Sequence, residues 1–272
     1  MQSNHTSVRS RWGEKPYYSL DYYLKETFGQ KVYKIALDAG MTCPNRDGTL
    51  DTRGCIFCSE GGSGDFATTN RSITAAIDEA ICRLNDSAKE TGQKYIAYFQ
   101  SFSNTYAPID ILRPMYLEAL AHPDIVGLSI ATRPDCFSPE IFSLLDECRQ
   151  IKPTWIELGL QTVHEHTARF IRRGYPLHVF EQTAHTLHTL NIPVIVHVIE
   201  TEADILETIQ YLNTQHIQGI KLQLLHVLKG TDLAVYLEEH PWHILTQEEY
   251  VDLVIRCIGN LSPKIVIHRL TG

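Results

Sequence analysis

The sequence has no apolar run long enough to span a bilayer. Its first residues, MQSNHTSVRSRWGEKPYY, lack the apolar stretch of a signal peptide. Both absences make the cytoplasm the expected location and a membrane an unexpected partner. Basic residues are not in excess: 24 Lys and Arg against 32 Asp and Glu leave a formal net charge of −8. That balance argues against a surface built wholly to grip phosphates, while leaving room for a local patch. The arm Arg9, Arg11 and Lys15, with Trp12, Tyr17 and Tyr18, is read as a solvated terminus rather than such a patch. No G-x-G-x-x-G follows the first strand-like segment, which weakens a dinucleotide fold. A disulfide framework is not expected either, because the seven cysteines are odd in number and clustered. With 43% hydrophobic and 21% charged residues, disorder is a poor description.

What is present is a repeat of short β-branched apolar runs, turns and helix-like stretches from about residue 32 onward. Strands are expected at VYKIALD (32–38), YIAYF (95–99), IVGLSI (125–130), TWIELGL (154–160), IPVIVHVI (192–199) and IQGIKLQLL (217–225), with KIVIH (264–268) as a further edge. They are apolar on both faces, as strands of a covered parallel sheet are. Helices are expected from Ser72, from Ser138 with Pro139 at the first helical position, from Thr201 with Asp204, and from Thr246 with a capping-box Glu249. Strand–helix alternation with short connections means right-handed βαβ units. The expected class is α/β, a partial (β/α)6 TIM-like barrel over residues 31–272 with residues 1–30 as an N-terminal extension.

The stretch CPNRDGTLDTRGCIFC carries Cys43, Cys55 and Cys58 in the loop after the first strand. In barrels that loop lies at the face where active sites are built. Spacing alone leaves four readings, in this order: a [4Fe–4S] cluster held by three thiolates, a zinc site completed by a distant side chain such as His5, a C-x-x-C redox dithiol, and thiols without a ligand. Cys82, Cys136, Cys148 and Cys257 are scattered among apolar or helical segments and read as small buried hydrophobes.

A three-cysteine loop after the first strand of such a barrel resembles the radical S-adenosylmethionine (radical SAM) superfamily. The usual spacing there is C-x3-C-x2-C; the longer first gap here is similar to that of the elongator catalytic subunit branch. The words TCPNRDGT, GCIFCSEGGSGDFA, FQSFSNTYAP, ATRPDCF, ELGLQT and LHVLKGT resemble the bacterial YhcC/YtqA-like branch over nearly the whole chain. The resemblance implies a [4Fe–4S] cluster on Cys43, Cys55 and Cys58, with SAM at the iron that lacks a thiolate and Phe57 as the aromatic before the last cysteine.

It also implies where SAM is met. Gln100 and Ser101, in FQSFSN, take the place of the element that contacts the SAM amino group, with Ser103 and Asn104 as turn residues. Thr132 and Arg133 emerge after the third strand, with Asp135 as a turn residue or an acceptor for ribose hydroxyls. Alternation puts Glu157, Gly159 and Gln161 on one strand face, and a carboxylate in an apolar strand needs a functional interior or an internal Arg partner. Arg173, with Arg172 as the alternative, fits the basic residue that meets the SAM carboxylate. His197 and His226, on the fifth and sixth strands, read first as satisfied core histidines and second as substrate acids or bases. Lys229 and Gly230 end the sixth strand near the substrate. An LGLPGE-like loop is expected after the fifth strand, yet VIVHVI runs directly into ETEADILETIQYL, so a loop there and a segment after residue 272 are expected to be missing from the sequence.

The substrate is not written in these motifs. The resemblance implies tRNA, through conversion of carboxymethylaminomethyl to aminomethyl at carbon 5 of the wobble uridine, with flavodoxin or ferredoxin as reductant. A basic rim of Arg169, Arg172, Arg173 and the N-terminal arm would serve that substrate. The alternatives are a radical SAM enzyme acting on a small metabolite or peptide, and a non-catalytic zinc-stabilised binding module.

Overall fold

The apolar runs and the helical stretches between them build one curled parallel sheet with helices outside it. The computed structural model describes residues 12–59, 61–62, 67–68, 72–86, 92–199 and 204–271. The seven strands are β1 (Val32–Leu37), β2 (Lys94–Phe99), β3 (Ile125–Thr132), β4 (Thr154–Gln161), β5 (Val194–Val198), β6 (Gly219–Leu222) and β7 (Val266–Arg269). They pair in parallel in chain order, β1 to β7. This is the open α/β barrel expected, with KIVIH as its last edge. Helices α1 (Leu20–Phe28), α2 (Ile73–Asp86), α3 (Ile109–Ala121), α4 (Pro139–Ile151), α5 (Glu165–Phe170), α6 (Leu177–Thr189), α7 (Ile205–Thr214), α8 (Asp232–Glu239) and α9 (Gln247–Asn260) complete the described elements.

The strands are apolar on both faces for two separate reasons. Their outward residues, such as Leu37, Phe99, Ile130, Leu158, Val196 and Leu222, join the covering helices in one large core. Near the strand starts, inward residues Val32, Ile96, Trp155 and Ile195 form a second core with Leu20 and Leu24 of α1. Each such side chain contributes about 1.5–3 kcal/mol when fully buried. Helix α1 thus fills the N-terminal mouth of the barrel. Ahead of it, Tyr18 O accepts from Ile267 N at 2.7 Å, so the chain also runs along the free edge of β7.

In the arm expected to be solvated, Lys15 is exposed, whereas Trp12 is not. Trp12 is buried and stacks on Tyr18 at 6.2 Å between ring centroids, and Tyr18 in turn packs edge-on against Tyr22 of α1. His5, Arg9 and Arg11 lie outside the described residues, as do residues 200–203, where the missing loop was expected.

The expected caps hold at Ser138, whose Oγ accepts from Ile141 N, and at Thr246 with Glu249. Asp204 is different: it precedes α7 without a side-chain cap bond, its carboxylate instead accepting from Thr167. Strand β6 ends at Leu222, so His226, Lys229 and Gly230 belong to the following loop and not to a strand. Cys136, Cys148 and Cys257 are buried as expected, whereas Cys82 is exposed on the outer side of α2. Among the described residues no helix is long and apolar enough to cross a membrane.

Candidate functional site

The loop after β1 doubles back on itself. Arg46 N donates to Cys43 O at 2.8 Å, and Gly54 N to Asn45 O at 2.7 Å. Gly54, at φ 78°, takes the left-handed conformation that glycine adopts without strain. Asn45 does more than turn the chain: it is buried, donates through Nδ2 to Arg172 O at 2.7 Å and lies 3.5 Å from Cys55 Sγ. Ile56, between the paired cysteines, is anchored on both sides. Its N–H donates to Ile171 O at 3.2 Å and its carbonyl accepts from Leu233 N at 2.9 Å. Arg46 Nη2 donates to the carbonyls of Cys58, at 3.1 Å, and Ser59. The loop is therefore held by the end of α5 and the start of α8.

Cys43, Cys55 and Cys58 border one cavity of about 610 Å³ at the C-terminal ends of the strands. Burial pushes the Cys55 thiol up to about 12, with Cys58 and Cys43 adding to the rise against the pull of Arg133. Burial raises Cys58 too, against the pull of Arg46. Loading such thiols with a cationic group must therefore release protons. Two buried polar groups on the same wall have an atom without a hydrogen bond among the described residues, although Arg173 Nη2 has Glu165 Oε2 at 4.0 Å. Arg173, 1% exposed, donates through Nε to Tyr175 O and through Nη1 to Leu160 O and Thr162 O, leaving Nη2 without a hydrogen bond. Gln161, held at φ 67° where the β4–β5 register shifts, leaves Oε1 unpaired. A buried group left so costs about 1–3 kcal/mol, which a ligand here would recover.

Below the cysteines, towards the strand starts, lies a layer of charge. Glu157 is 1% exposed and takes four donors. Its Oε1 accepts from Lys34 Nζ and, at 2.8 Å, from Ser129 Oγ; its Oε2 meets Lys221 Nζ and, at 2.8 Å, His197 Nε2. Lys221 Nζ also donates to Tyr98 OH at 3.0 Å. Burial alone would raise Glu157, but Lys221 and Lys34 hold it well below the usual carboxylate range. Burial pushes His197 down to about 4, and the Lys221 charge acts the same way. An ionised carboxylate cannot donate, so His197 Nε2 carries the proton of that hydrogen bond. Burial lowers Lys221 to about 7 against the attraction of Glu157. Tyr98, Glu157, His197 and Arg269 all line the cavity.

Comparison with known proteins bears on what this cavity is for. The profile of the Radical SAM superfamily matches residues 52–212, and that of the Radical_SAM C-terminal domain matches residues 217–272. YtqA of Bacillus subtilis is 42% identical over 95% of this chain and 82% of its own length. The chain belongs to the radical SAM superfamily. YhcC of Escherichia coli is 34% identical over 92% of this chain and 81% of its own length. A solved structure of Methanocaldococcus infernus Elp3 lacking its N-terminus shares the fold, with a TM-score of 0.63 at 12% identity, covering 87% of this chain and 55% of that one. Radical SAM proteins use a [4Fe–4S] cluster and SAM, and the donor set here fits them. Among the described residues no three His, Cys, Asp or Glu side chains converge on one point as a single ion needs. Three thiols around one cavity suit a cluster, in which each holds a different iron. Cys43 lies ahead of the matched segment.

Of the residues expected to meet SAM in a radical SAM protein, Phe57, Gln100, Thr132, Arg133, Gln161 and Arg173 line the cavity with the cysteines, as does Glu157. Two expected contacts do not. Ser101 is fully buried and does not line the cavity, and its carbonyl accepts from Asn104 Nδ2 at 3.0 Å. Asp135 binds the Arg133 guanidinium with both oxygens, at 2.9 and 2.7 Å, and so holds that arginine instead of facing a ribose. The basic rim is not presented as free charge: Arg169 pairs with Glu165, Arg172 with Asp232 at 2.6 Å, and Arg173 is buried. The Glu157 partners are two lysines and a histidine where an internal arginine was weighed. His197 is satisfied by Glu157, as a core histidine is, and it also lines the cavity; His226 lines it from the loop. Sequence reasoning missed Lys34, Lys221, Tyr98, Tyr175 and Arg269. The signal for the lysines was the one used for Glu157, a charge inside an apolar strand.

Proposed function

We propose that this radical SAM protein is a cytoplasmic tRNA-modifying enzyme that converts carboxymethylaminomethyl to aminomethyl at carbon 5 of the wobble uridine. Cys43, Cys55 and Cys58 hold the cluster. Gln100, Thr132, Arg133, Gln161 and Arg173 face SAM, and Phe57 packs beside the last cysteine. When bound, the cluster and SAM supply a 5′-deoxyadenosyl radical that takes a hydrogen atom from the substrate. The chain's own residues orient and exclude water: Arg173 offers to a carboxylate its Nη2, which makes no hydrogen bond and has Glu165 Oε2 at 4.0 Å, Asp135 fixes the Arg133 fork, and α8 packs over the cluster loop. The observation that carries the reading is the three thiols bordering one cavity, with a buried guanidinium on its wall whose Nη2 makes no hydrogen bond. The choice of tRNA rests on the motif likeness to the YhcC/YtqA branch. Electrons would come from flavodoxin or ferredoxin.

The test compares modified nucleosides in tRNA from a strain lacking the gene and from its parent. Carboxymethylaminomethyluridine accumulating at the expense of aminomethyluridine, with reversal by the anaerobically reconstituted protein, supports the proposal. Identical nucleoside profiles overturn it. The net charge of −8 favours a second reading, a small metabolite or peptide substrate, which identical profiles would promote.

A further inference from the structure

The charged layer beneath the cavity has more positive than negative charge. Lys34, Lys221 and Arg269 are the cations, and Glu157 is the one carboxylate bonded among them. Glu157 already takes four donors, which fills a carboxylate. Arg269 lines the cavity wall with no ion-pair partner among the described residues, and its charge is felt by Lys34, Tyr98, His197 and Lys221. Each lysine has made its bonds to Glu157 and one hydroxyl, Ser129 for Lys34 and Tyr98 for Lys221. One N–H of each ammonium remains.

We propose that this layer is an anion seat, with Arg269 and Tyr98 on the cavity wall and the Lys221 and Lys34 ammoniums behind them, that takes a carboxylate carried by the substrate. The inference rests on the wobble-uridine reading, in which the group to be removed ends in a carboxylate. Depth selects this ligand. Glu157 sits four residues below Gln161 on β4, roughly 13 Å along a strand. Arg269 is exposed at the end of β7, but Glu157 and Lys221 are buried at that depth, where a phosphodiester backbone does not follow and a flipped base with a slender charged substituent can. Three cations against the single carboxylate of Glu157 leave an excess of positive charge that one arriving carboxylate reduces. Burial, with the charges of Lys34 and Arg269 adding to it against the attraction of Glu157, brings Lys221 down to about 7, and an arriving carboxylate draws it back to its charged form.

The test uses anaerobically reconstituted holoprotein and two synthetic anticodon stem-loops. One carries carboxymethylaminomethyluridine; the other carries its carbamoylmethyl isostere, equal in shape and neutral. The wild type should bind the carboxylate form at least tenfold more tightly. Arg269→Gln and Lys221→Met should each erase most of that preference, the neutral RNA serving as the reference for folding and for phosphate contacts. Equal binding of the two RNAs by the wild type, or a preference that survives both substitutions, overturns the seat. If neither RNA binds, the wobble-uridine reading falls and N-methylglycine decides the seat by saturation-transfer NMR. Transfer to its methyl resonance through wild type but not through Arg269→Gln supports the seat; equal transfer, or none through wild type, refutes it.

Discussion

Lys221 gives the sharpest physical test of the buried layer. Its side chain is 4% exposed, and burial lowers the ammonium from 10.5 to about 7 although Glu157 pulls the other way. Between those values the unfolded chain holds a proton that the folded protein does not. Stability therefore rises with pH across this window, by up to about 1.4 kcal/mol per unit. Below pH 7 both states are protonated, the slope vanishes and the full cost of burying the charge is present. From pH 7 to pH 9 the gain is about 2 kcal/mol, because half the folded molecules still carry the proton at the start. Lys221→Met keeps the length of the side chain and removes the titration. The assay is urea unfolding of both proteins at matched cluster loading across pH 7 to 9, read as the difference between them, so that contributions from the cluster and the other thiols cancel. Wild type should gain on the variant by about 2 kcal/mol over the window. Two parallel stability curves would refute the reasoning, since Lys221 would then titrate alike in both states.

Replacing any one of Cys43, Cys55 and Cys58 by Ala should remove most of the iron and the brown colour from reconstituted protein; full iron content in the Cys43 variant would show that the distant cysteine is not a ligand. Gly174→Ala should destabilise the protein by about 1–3 kcal/mol and lower its iron content, because residue 174 sits at φ 83° and a Cβ there would lie 2.7 Å from Asn45 Oδ1 and 3.2 Å from Arg133 Nη2. Unfolding midpoints and iron assays check both effects. Among the scattered thiols, Cys82 should be alkylated by iodoacetamide long before Cys136, Cys148 and Cys257, because it alone of the four is exposed. Peptide mass mapping reads the order, and early labelling of a buried one would contradict the packing.

The strands were legible because both of their faces carry a pattern. VYKIAL, YIAYF and TWIELGL are apolar wherever they meet a helix or the α1 plug, and turn residues bound them on either side. The cap at Ser138 and the capping box at Thr246 were legible because each is a local bond between neighbours in sequence. What remained hidden was set by contacts across the barrel. Asp135 looks like a turn residue or a ligand until Arg133 is seen to fold back on it. Asn45 looks like a loop former until its amide is found on Arg172, 127 positions away. The sixth strand was drawn too long because IQGIKLQLL stays apolar after its ladder partner ends, and apolar sequence alone does not say where pairing stops. Cys82 was misread for a related reason: which side of α2 faces water depends on the sheet beneath it.

One regularity separates what the barrel needs from what its site needs. The inward residues of the lower layer are Val32, Ile96, Trp155 and Ile195. Two positions further along the same strands stand Lys34, Tyr98, Glu157 and His197, with Lys221 on β6 beside them. Because strand side chains alternate with a period of two, these positions face the same interior one layer up. The lower layer proves that the barrel can be filled with apolar groups at this radius. Filling the upper layer likewise would be neutral or stabilising by about 1–4 kcal/mol, judging by replacements of buried ion pairs with hydrophobic residues elsewhere. Folding therefore gives no reason for five polar or ionisable side chains at that level. The change of character falls where the cavity begins, directly below the cysteines, and its net charge is positive. The cost in stability is best understood as the consequence of a layer shaped for something that enters from above.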